Sequence, residues 1–428
     1  MAKEVFKEII RNFHRKDIPF FYQRKLELPV GSRKIISVIG SRRSGKTYLL
    51  YQTMRSIQNR GVPIEKLIYI NFEDERLNGS SAELDQVLQA YRELYPGHPI
   101  DDCYIFLDEV QNMQGWERFV RRVYDTETQH VFITGSNSKL LSREIATELR
   151  GRSIAYEVFP LNFSEYLEFN KLKPDLYHAP TKSKIINAFS KFMRTGGFPE
   201  TVKFDNELRF KTLNEYFNTM LFRDIIERHR IKDVRLLKFY LKKLFASVGK
   251  PISVNRIFNE LKSMGFEVSK NSLYEFLEYF KDTFMILSID KFDHSEIKQL
   301  KSNKKAYPID HGFLPVIDQS LSKNLGKAFE NLVALEFIKS EKNLYYFKQH
   351  HECDFIVKSG GEVEAIQVSY SVGDPATLNR EIKGLSEACN YLKLGKGTII
   401  TFDESFDTKY NNIKIEVVEG WKYFLKHQ

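Results

Sequence analysis

Between residues 31 and 138, short β-branched and aromatic runs alternate with segments of helical length: KIISVIG and TYLLYQTMRSIQNRG, LIYINF and a charged stretch, CYIFLDE and GWERFVRRVYD, then HVFITGS. Strand–helix alternation of this kind predicts a parallel sheet covered by helices. After Phe159-Pro160-Leu161 the pattern turns helical, over residues 163–170 and 183–247, interrupted by the polar stretch KLKPDLYHAPTKSK, which reads as a surface loop. SVNRIFNELKSMG and SKNSLYEFLEYFKDT, parted by the turn Phe266-Glu267-Val268, predict two helices. The extended stretches FMILSIDKF and KKAYPID follow them, so this region predicts a winged-helix module. The C-terminal stretch is a second α/β unit: helix GKAFENLVALEFIKS, strands NLYYFK, CDFIVK and EVEAIQVSY, helix LNREIKGLSEACNYLK, and strands GTIITF and IKIEVVEG.

Composition narrows the class without naming it. The 428 residues are 42% hydrophobic and 28% charged, which excludes disordered and collagenous chains. An excess of 65 Lys and Arg over 56 Asp and Glu, a formal charge of +9, is compatible with a polyanionic partner. The three cysteines are far apart and form no CxxC pair, which argues against a disulfide framework or a zinc site and for a reducing, cytoplasmic setting. Glu4 and Glu8 break any apolar run in MAKEVFKEIIRNFHRKD, which reads as an amphipathic helix, and no stretch approaches the ~20 apolar residues of a membrane span. A soluble protein with no membrane partner is expected.

Gly40-Ser41-Arg42-Arg43-Ser44-Gly45-Lys46-Thr47 fits GxxxxGK[ST] in full, after an apolar strand and before a helix. The amides of such a loop and the helix N-terminus converge on phosphate oxygens. Lys46 would reach the β- and γ-phosphates of ATP, Thr47 would ligate Mg²⁺, and Tyr48 follows within reach of the nucleotide. The apolar strand Cys103-Tyr104-Ile105-Phe106-Leu107 ends in Asp108 and Glu109. Asp108 is expected in the Mg²⁺ shell and Glu109 at the attacking water.

A further strand, residues 130–134, ends in Gly135-Ser136-Asn137, where Ser136 and Asn137 read either as contacts to the γ-phosphate or as a helix cap. In Leu149-Arg150-Gly151-Arg152 either arginine could serve as an arginine finger, in cis or across a subunit interface, with Arg152 the preferred candidate.

GSRRSGKT, IFLDE, ITGSNS, LRGR and FPLNFSEYL, then TGGFPE, KAYPIDHGF, GKAFENLVALEF, ECDFIV and IQVSYS, together resemble the prokaryotic ATPases of the AAA superfamily that carry a C-terminal domain of unknown function. The resemblance implies a P-loop ATPase domain over residues 28–160 behind an N-terminal helix and lead-in at 1–27. A helical region at 161–233, the winged-helix-like module at 234–318 and a domain similar to the PD-(D/E)xK nuclease fold at 319–428 would follow. It implies Glu330 as a helix carboxylate, Asp354 as the first strand carboxylate, and Gln367-Val368-Ser369 in place of ExK. An amide for the second carboxylate and Ser369 for the lysine remove metal charge balance and the proton shuttle, so cleavage is not expected. Glu352 or Glu364 could restore the site only by turning inward, and strand alternation puts Glu364 on the face opposite Gln367 and Ser369.

Between residues 223 and 243 stand Arg223, Arg228, Arg230, Lys232, Arg235, Lys238, Lys242 and Lys243, either a DNA-binding face or a solvated helix face. The second helix of the predicted module carries Glu275 and Glu278, which argues against base reading, and its stripe Leu273, Phe276, Leu277, Phe280 is expected in the core. The expectation is a slow Mg²⁺-dependent ATPase whose nucleotide state shifts the arrangement of its domains, with a DNA or protein partner or self-assembly. A nucleotide-gated switch with little hydrolysis is the alternative.

Overall fold

The computed structural model describes residues 2–77, 79–137, 149, 151–174, 179–317, 324–340 and 342–426, and the chain divides into two units, Met1–Phe159 and Pro160–Gln428. Arg150 lies outside the described residues.

The first unit is built on five parallel strands, β1 (Ile35–Ile39), β2 (Leu67–Asn71), β3 (Tyr104–Asp108), β4 (Val131–Gly135) and β5 (Ser153–Glu157), in the order β2-β3-β4-β1-β5. β4 therefore stands between β1 and β3, with Ile36 beside Phe132 on one edge and Phe106 beside Phe132 on the other. Every residue of β1 and β4 is buried, as a sheet covered on both faces requires, and the Phe106 and Phe132 rings stack at 4.7 Å. The helices are α1 (Ala2–His14), α2 (Lys46–Asn59), α3 (Ser81–Leu94) and α4 (Trp116–Thr126). α1 buries Phe6 and Ile10, pairs Lys3 and Lys7 with Glu93, and sets His14 Nε2 2.9 Å from the Leu67 carbonyl. The N-terminal helix is thus part of the first unit.

The second unit begins with helices α5 (Phe163–Phe169), α6 (Ala179–Thr195), α7 (Asn206–Thr219), α8 (Val234–Ala246), α9 (Val254–Ser263) and α10 (Lys270–Asp282). Side-chain caps start several of them: Asn162 and Glu165 form a capping box on α5, and Asp205, Asp233, Ser253 and Ser269 each accept from a backbone amide of α7 to α10. α7 runs on into a π-helical stretch, Met220–Glu227. On α10, Leu273, Phe276 and Phe280 of the stripe are buried and Leu277 is half-buried.

The antiparallel hairpin of β6 (Ile286–Lys291) and β7 (Lys305–Pro308) follows α10, where the sequence predicts a wing. β6 also pairs in parallel with β8 (Asn343–Lys348). With β9 (Glu352–Ser359), β10 (Glu362–Val368), β11 (Lys396–Thr401), β12 (Phe406–Tyr410) and β13 (Ile413–Glu419) this makes one eight-stranded sheet, order β12-β13-β11-β10-β9-β8-β6-β7. It draws strands from both sides of the boundary expected at residue 318. Helices α11 (Leu325–Lys339), α12 (Pro375–Leu392) and α13 (Gly420–Lys426) also belong to the unit, besides two short helical turns at Glu296–Lys301 and Leu314–Ile317.

Four of the quoted segments meet at one buried joint. The Leu161 amide donates to the Gly197 carbonyl at 2.8 Å, and the Gly197 amide donates to Asp310 Oδ2 at 2.7 Å. Asp310 Oδ1 accepts from the Gly312 amide at 2.8 Å, Glu336 accepts from the Phe163 amide at 2.9 Å, and Lys339 donates to the Leu161 carbonyl at 2.9 Å. A Cβ on Gly197 would lie 2.4 Å from the Leu161 carbonyl oxygen, so TGGFPE needs its second glycine for a close backbone approach. The FPLNF, TGGFPE, YPIDHG and ALEF segments are therefore held together by buried carboxylates on backbone amides. Asp310→Ala strands two buried N–H groups, and denaturant unfolding should show a loss of about 3 kcal/mol.

Candidate functional site

β1 runs straight into the phosphate-binding loop. At Gly40 a Cβ would lie 2.1 Å from the Val158 carbonyl oxygen, and Gly45 caps α2 at φ 103°, so both positions require glycine. The Ser44 hydroxyl donates to the Ser41 carbonyl at 2.9 Å inside the loop. Arg24, from the lead-in, braces it outside by donating to the Ser44 carbonyl at 3.0 Å and the Phe159 carbonyl at 2.9 Å. Arg42 is paired with Glu73 at 2.8 Å, Arg43 holds a left-handed backbone at φ 63°, and Tyr48 is exposed beside the loop on the first turn of α2.

The buried Lys46 side chain folds back over the loop. Its Nζ donates to the Gly40 carbonyl at 3.2 Å and the Ser41 carbonyl at 3.1 Å, and it stands 3.2 Å from Glu109 Oε1. One residue on, Thr47 Oγ1 donates to Asp108 Oδ2 at 2.7 Å. The loop and the acidic pair, 61 residues apart in sequence at that contact, thus form a single cluster.

Asp108 is fully buried and accepts from three hydroxyls, those of Thr47, Tyr69 (2.9 Å) and Thr134. Burial, then the charge of Glu109, pushes its carboxyl above the usual range, more than these donors lower it. Burial would also raise Glu109, but the Lys46 ammonium, with Gln111 and Arg42, outweighs it and holds Glu109 low. Adjacent acids are thereby driven apart, the pattern expected when they hold different roles. The Thr134 hydroxyl also accepts from the Glu109 amide at 2.8 Å, fixing that residue at φ 54°. Gln111 Nε2 donates to Glu109 Oε2 and, at 3.2 Å, to Ser136 Oγ. Ser136 and Asn137 are buried at the end of β4, beside both the loop and the acids because β4 separates β1 from β3.

For Arg152 the strand register bears on the alternative in cis. This arginine precedes β5, whose Ser153 is level with Ile35 at the start of β1, whereas the phosphate loop follows Ile39 at the other end. About five residues of strand, on the order of 15 Å, separate it from the phosphates of its own chain. Its Nε is engaged with Asp125 at 2.9 Å. The strand order that makes this plain is not written in the local LRGR motif. Sequence reading also passed over Tyr69, Gln111, Thr134 and Arg24. Only Thr134 carries a usable signal, as the polar residue closing an apolar strand.

In the second unit a cleft of about 1030 Å³ is lined by residues that include Lys250, Lys327, Glu330, Glu352, Asp354, Gln367 and Arg380. Beneath it lies the wholly buried Lys305, on β7, with Nζ 2.9 Å from Glu352, 3.2 Å from Asp354 and 3.3 Å from Glu330. Tyr307 donates to Glu330 Oε1 at 2.9 Å. Three carboxylates share one ammonium, and burial, then the charge of Glu330, pushes Asp354 up to about 7. Gln367 accepts from the Asp354 amide at 3.1 Å and donates to Glu381. Glu352 faces Lys305, while Glu364 accepts from Tyr423 at 3.2 Å.

On the predicted basic segment, Arg223, Arg228, Arg230, Lys232, Arg235, Lys238 and Lys242 are exposed, and Lys243 pairs with Glu260. Among the described residues no helix is long and apolar enough to cross a membrane.

A family model described as an AAA domain matches residues 32–167, and two described as domains of unknown function, DUF8612 and DUF4143, match residues 186–323 and 325–419. The chain is 37% identical over 421 residues to the uncharacterized protein MJ1544 of Methanocaldococcus jannaschii, covering 94% of this chain and 91% of that one. It is 28% identical over 392 residues to an uncharacterized protein of Haemophilus influenzae, covering 91% and 93%. AMPPCP-bound DnaA from Aquifex aeolicus overlaps 65% of this chain and 86% of its own at 13% identity, with a TM-score of 0.25, an overlap on which nothing further rests. By its AAA domain, its two following domains and its full-length relative, the chain belongs to the family of P-loop ATPases of the AAA type that continue into these two domains of unknown function.

Proposed function

We propose that the first unit binds ATP with Mg²⁺ and hydrolyses it. The observation that carries this reading is the convergence of Lys46, Thr47, Asp108 and Glu109 on one buried cluster at the mouth of the loop. Loop amides and the N-terminus of α2 offer donors to the phosphates. Thr47 and Asp108 fit Mg²⁺: they are oxygen donors 2.7 Å apart, and the buried Asp108 carboxylate is held by hydroxyls rather than by a cation. Bound there, the ion supplies charge neutralisation at the phosphate oxygens.

Lys46 has two competing claims on it. Without nucleotide its ammonium serves the loop carbonyls and Glu109. Phosphate oxygens outbid neutral carbonyls for an ammonium, so ATP draws Lys46 onto the β- and γ-phosphates and releases Glu109. Glu109, still held by Gln111, then orients the attacking water and takes its proton. Asn137 and Ser136 stand at the end of β4 as candidates to touch the γ-phosphate. Arg152, remote from its own loop, can act as an arginine finger only from a second copy of the chain. The Lys46–Glu109 pair also favours a second reading, a nucleotide-gated switch in which ATP breaks that pair and turnover is slight.

The exposed cations of residues 223–242 support a polyanionic partner, DNA. The buried free thiols of Cys103, Cys353 and Cys389 are consistent with the reducing cytoplasm.

Lys46→Ala should lose both ATP binding and phosphate release. Glu109→Gln should keep ATP binding in equilibrium dialysis while kcat drops about 10²- to 10⁴-fold; an unchanged rate would leave Glu109 only its pairing with Lys46 and favour the switch. Thr134→Val removes a donor that orients Asp108, and the Mg²⁺ concentration that half-saturates turnover should rise about 10- to 100-fold. Fluorescence anisotropy with a labelled DNA duplex should show affinity falling at least about tenfold between roughly 50 and 200 mM salt. A salt-independent signal would remove DNA as the partner of the basic face.

A further inference from the structure

The nuclease-like resemblance implies a divalent cation among Glu330, Asp354 and the residue at position 367. The side chains there do not fit one. Both Asp354 oxygens are committed within the protein, Oδ1 to Lys305 at 3.2 Å and Oδ2 to the Val368 amide at 3.0 Å. Glu330 Oε1 takes Lys305 and Tyr307, and its Oε2 packs so closely on Gly249 that a Cβ there would lie 2.2 Å from it. Gln367 spends its oxygen on the Asp354 amide and its nitrogen on Glu381. The three oxygens nearest Lys305 lie 2.9–3.3 Å from Nζ, the spacing of an ammonium. Mg²⁺ requires oxygens at about 2.1 Å and Ca²⁺ at about 2.3–2.6 Å.

We propose that Lys305 is the resident cation of this cleft: its ammonium occupies the place where a nuclease of this fold would hold a metal ion. The lysine does not come from the strand that carries it in an ExK motif. It arrives on β7, the edge strand of the sheet, from a hairpin that precedes α11. Backbone contacts hold β7 in position: the Ile252 amide donates to the Lys304 carbonyl at 2.8 Å, and Pro251 bridges to Lys305 itself. Nζ therefore reaches the carboxylates from below while the cleft stays open above. Glu352 completes the set. It lies two residues before Asp354 on β9, hence on the same face, and reaches Lys305 at 2.9 Å. The consequence is a carboxylate cluster whose central cation is supplied from within the chain. Divalent-metal phosphodiester cleavage has no vacant position there, and the ammonium ties the edge strand to α11 and β9.

The test counts divalent cations on the full chain without nucleotide. Mn²⁺ binding is followed by electron paramagnetic resonance for the wild type, Asp354→Asn, Lys305→Met and the double variant Lys305→Met/Asp354→Asn. Resident Lys305 predicts equal Mn²⁺ uptake by the wild type and Asp354→Asn, and no Mn²⁺-dependent plasmid nicking that Asp354→Asn removes. Lys305→Met leaves Glu330 and Asp354 without their cation and Glu352 with Lys348 alone, at 3.0 Å. It should take up one additional Mn²⁺ and melt at a higher temperature when Mn²⁺ is added, and the double variant should lose both effects. Wild-type uptake of an ion that Asp354→Asn abolishes would overturn the proposal, as would Lys305→Met folding and binding no more Mn²⁺ than the wild type. Should Lys305→Met fail to fold, the comparison of the wild type with Asp354→Asn decides alone.

Discussion

A carboxylate taken out of water has to be given either a cation or several hydrogen-bond donors, and both units are organised around that requirement. In the first, two adjacent acids at the end of β3 meet it in different ways: Asp108 through three hydroxyls, Glu109 through the ammonium of Lys46. In the second, Glu330, Glu352 and Asp354 meet it around one buried lysine, helped by Tyr307, Lys348 and the Val368 amide, and Asp310 and Glu336 meet it with backbone amides. The strand order, the glycines and the helix starts can be read as ways of bringing those counter-groups to the acids.

The difference between the two lysines lies in what carries them. Lys46 sits at the first position of a helix, beyond a loop whose neutral carbonyls are among its partners, so on the proposed reading a phosphate would replace those partners without moving the sheet. Lys305 belongs to a strand bonded to its neighbours, is itself wholly buried, and has three carboxylates as its partners. Withdrawing it would leave Glu330 and Asp354 without a cation, and breaking a buried pair costs several kcal/mol in general (about 3–5). The same side chain is therefore exchangeable in one place and fixed in the other.

How much of this is legible in the sequence follows from how local each feature is. The phosphate loop, the DE pair and their strands are contiguous runs, so Lys46, Thr47, Asp108 and Glu109 can be named with no knowledge of the fold. Thr134 and Tyr69 act on Asp108 from neighbouring strands, and only the placement of β4 between β1 and β3, with β2 on the far side, reveals that they converge. For Arg152 the same holds in reverse: the LRGR motif does not tell a finger in cis from one in trans, and only the strand register puts it at the end of β5 away from its own phosphate loop. The alternation along β10 correctly turns Glu364 away from Gln367, because a face is a period-two property of one strand.

Lys305 shows where reading by motif alignment stops. A search for the lysine of an ExK tripeptide looks at position 369 and finds serine, which reads as the loss of a cation. Electrostatics argues otherwise once the resemblance brings Glu330 and Asp354 together: two neighbouring buried carboxylates repel, and a positive charge beside them relieves that repulsion. What sequence cannot supply is the address of that charge, since it lies 25 residues from one acid and 49 from the other, on a strand whose partner β6 also pairs with β8. The continuous sheet is thus what makes the substitution possible. A hairpin standing free as a wing would have no path to the carboxylates, whereas one joined to β8 brings Lys305 beneath them.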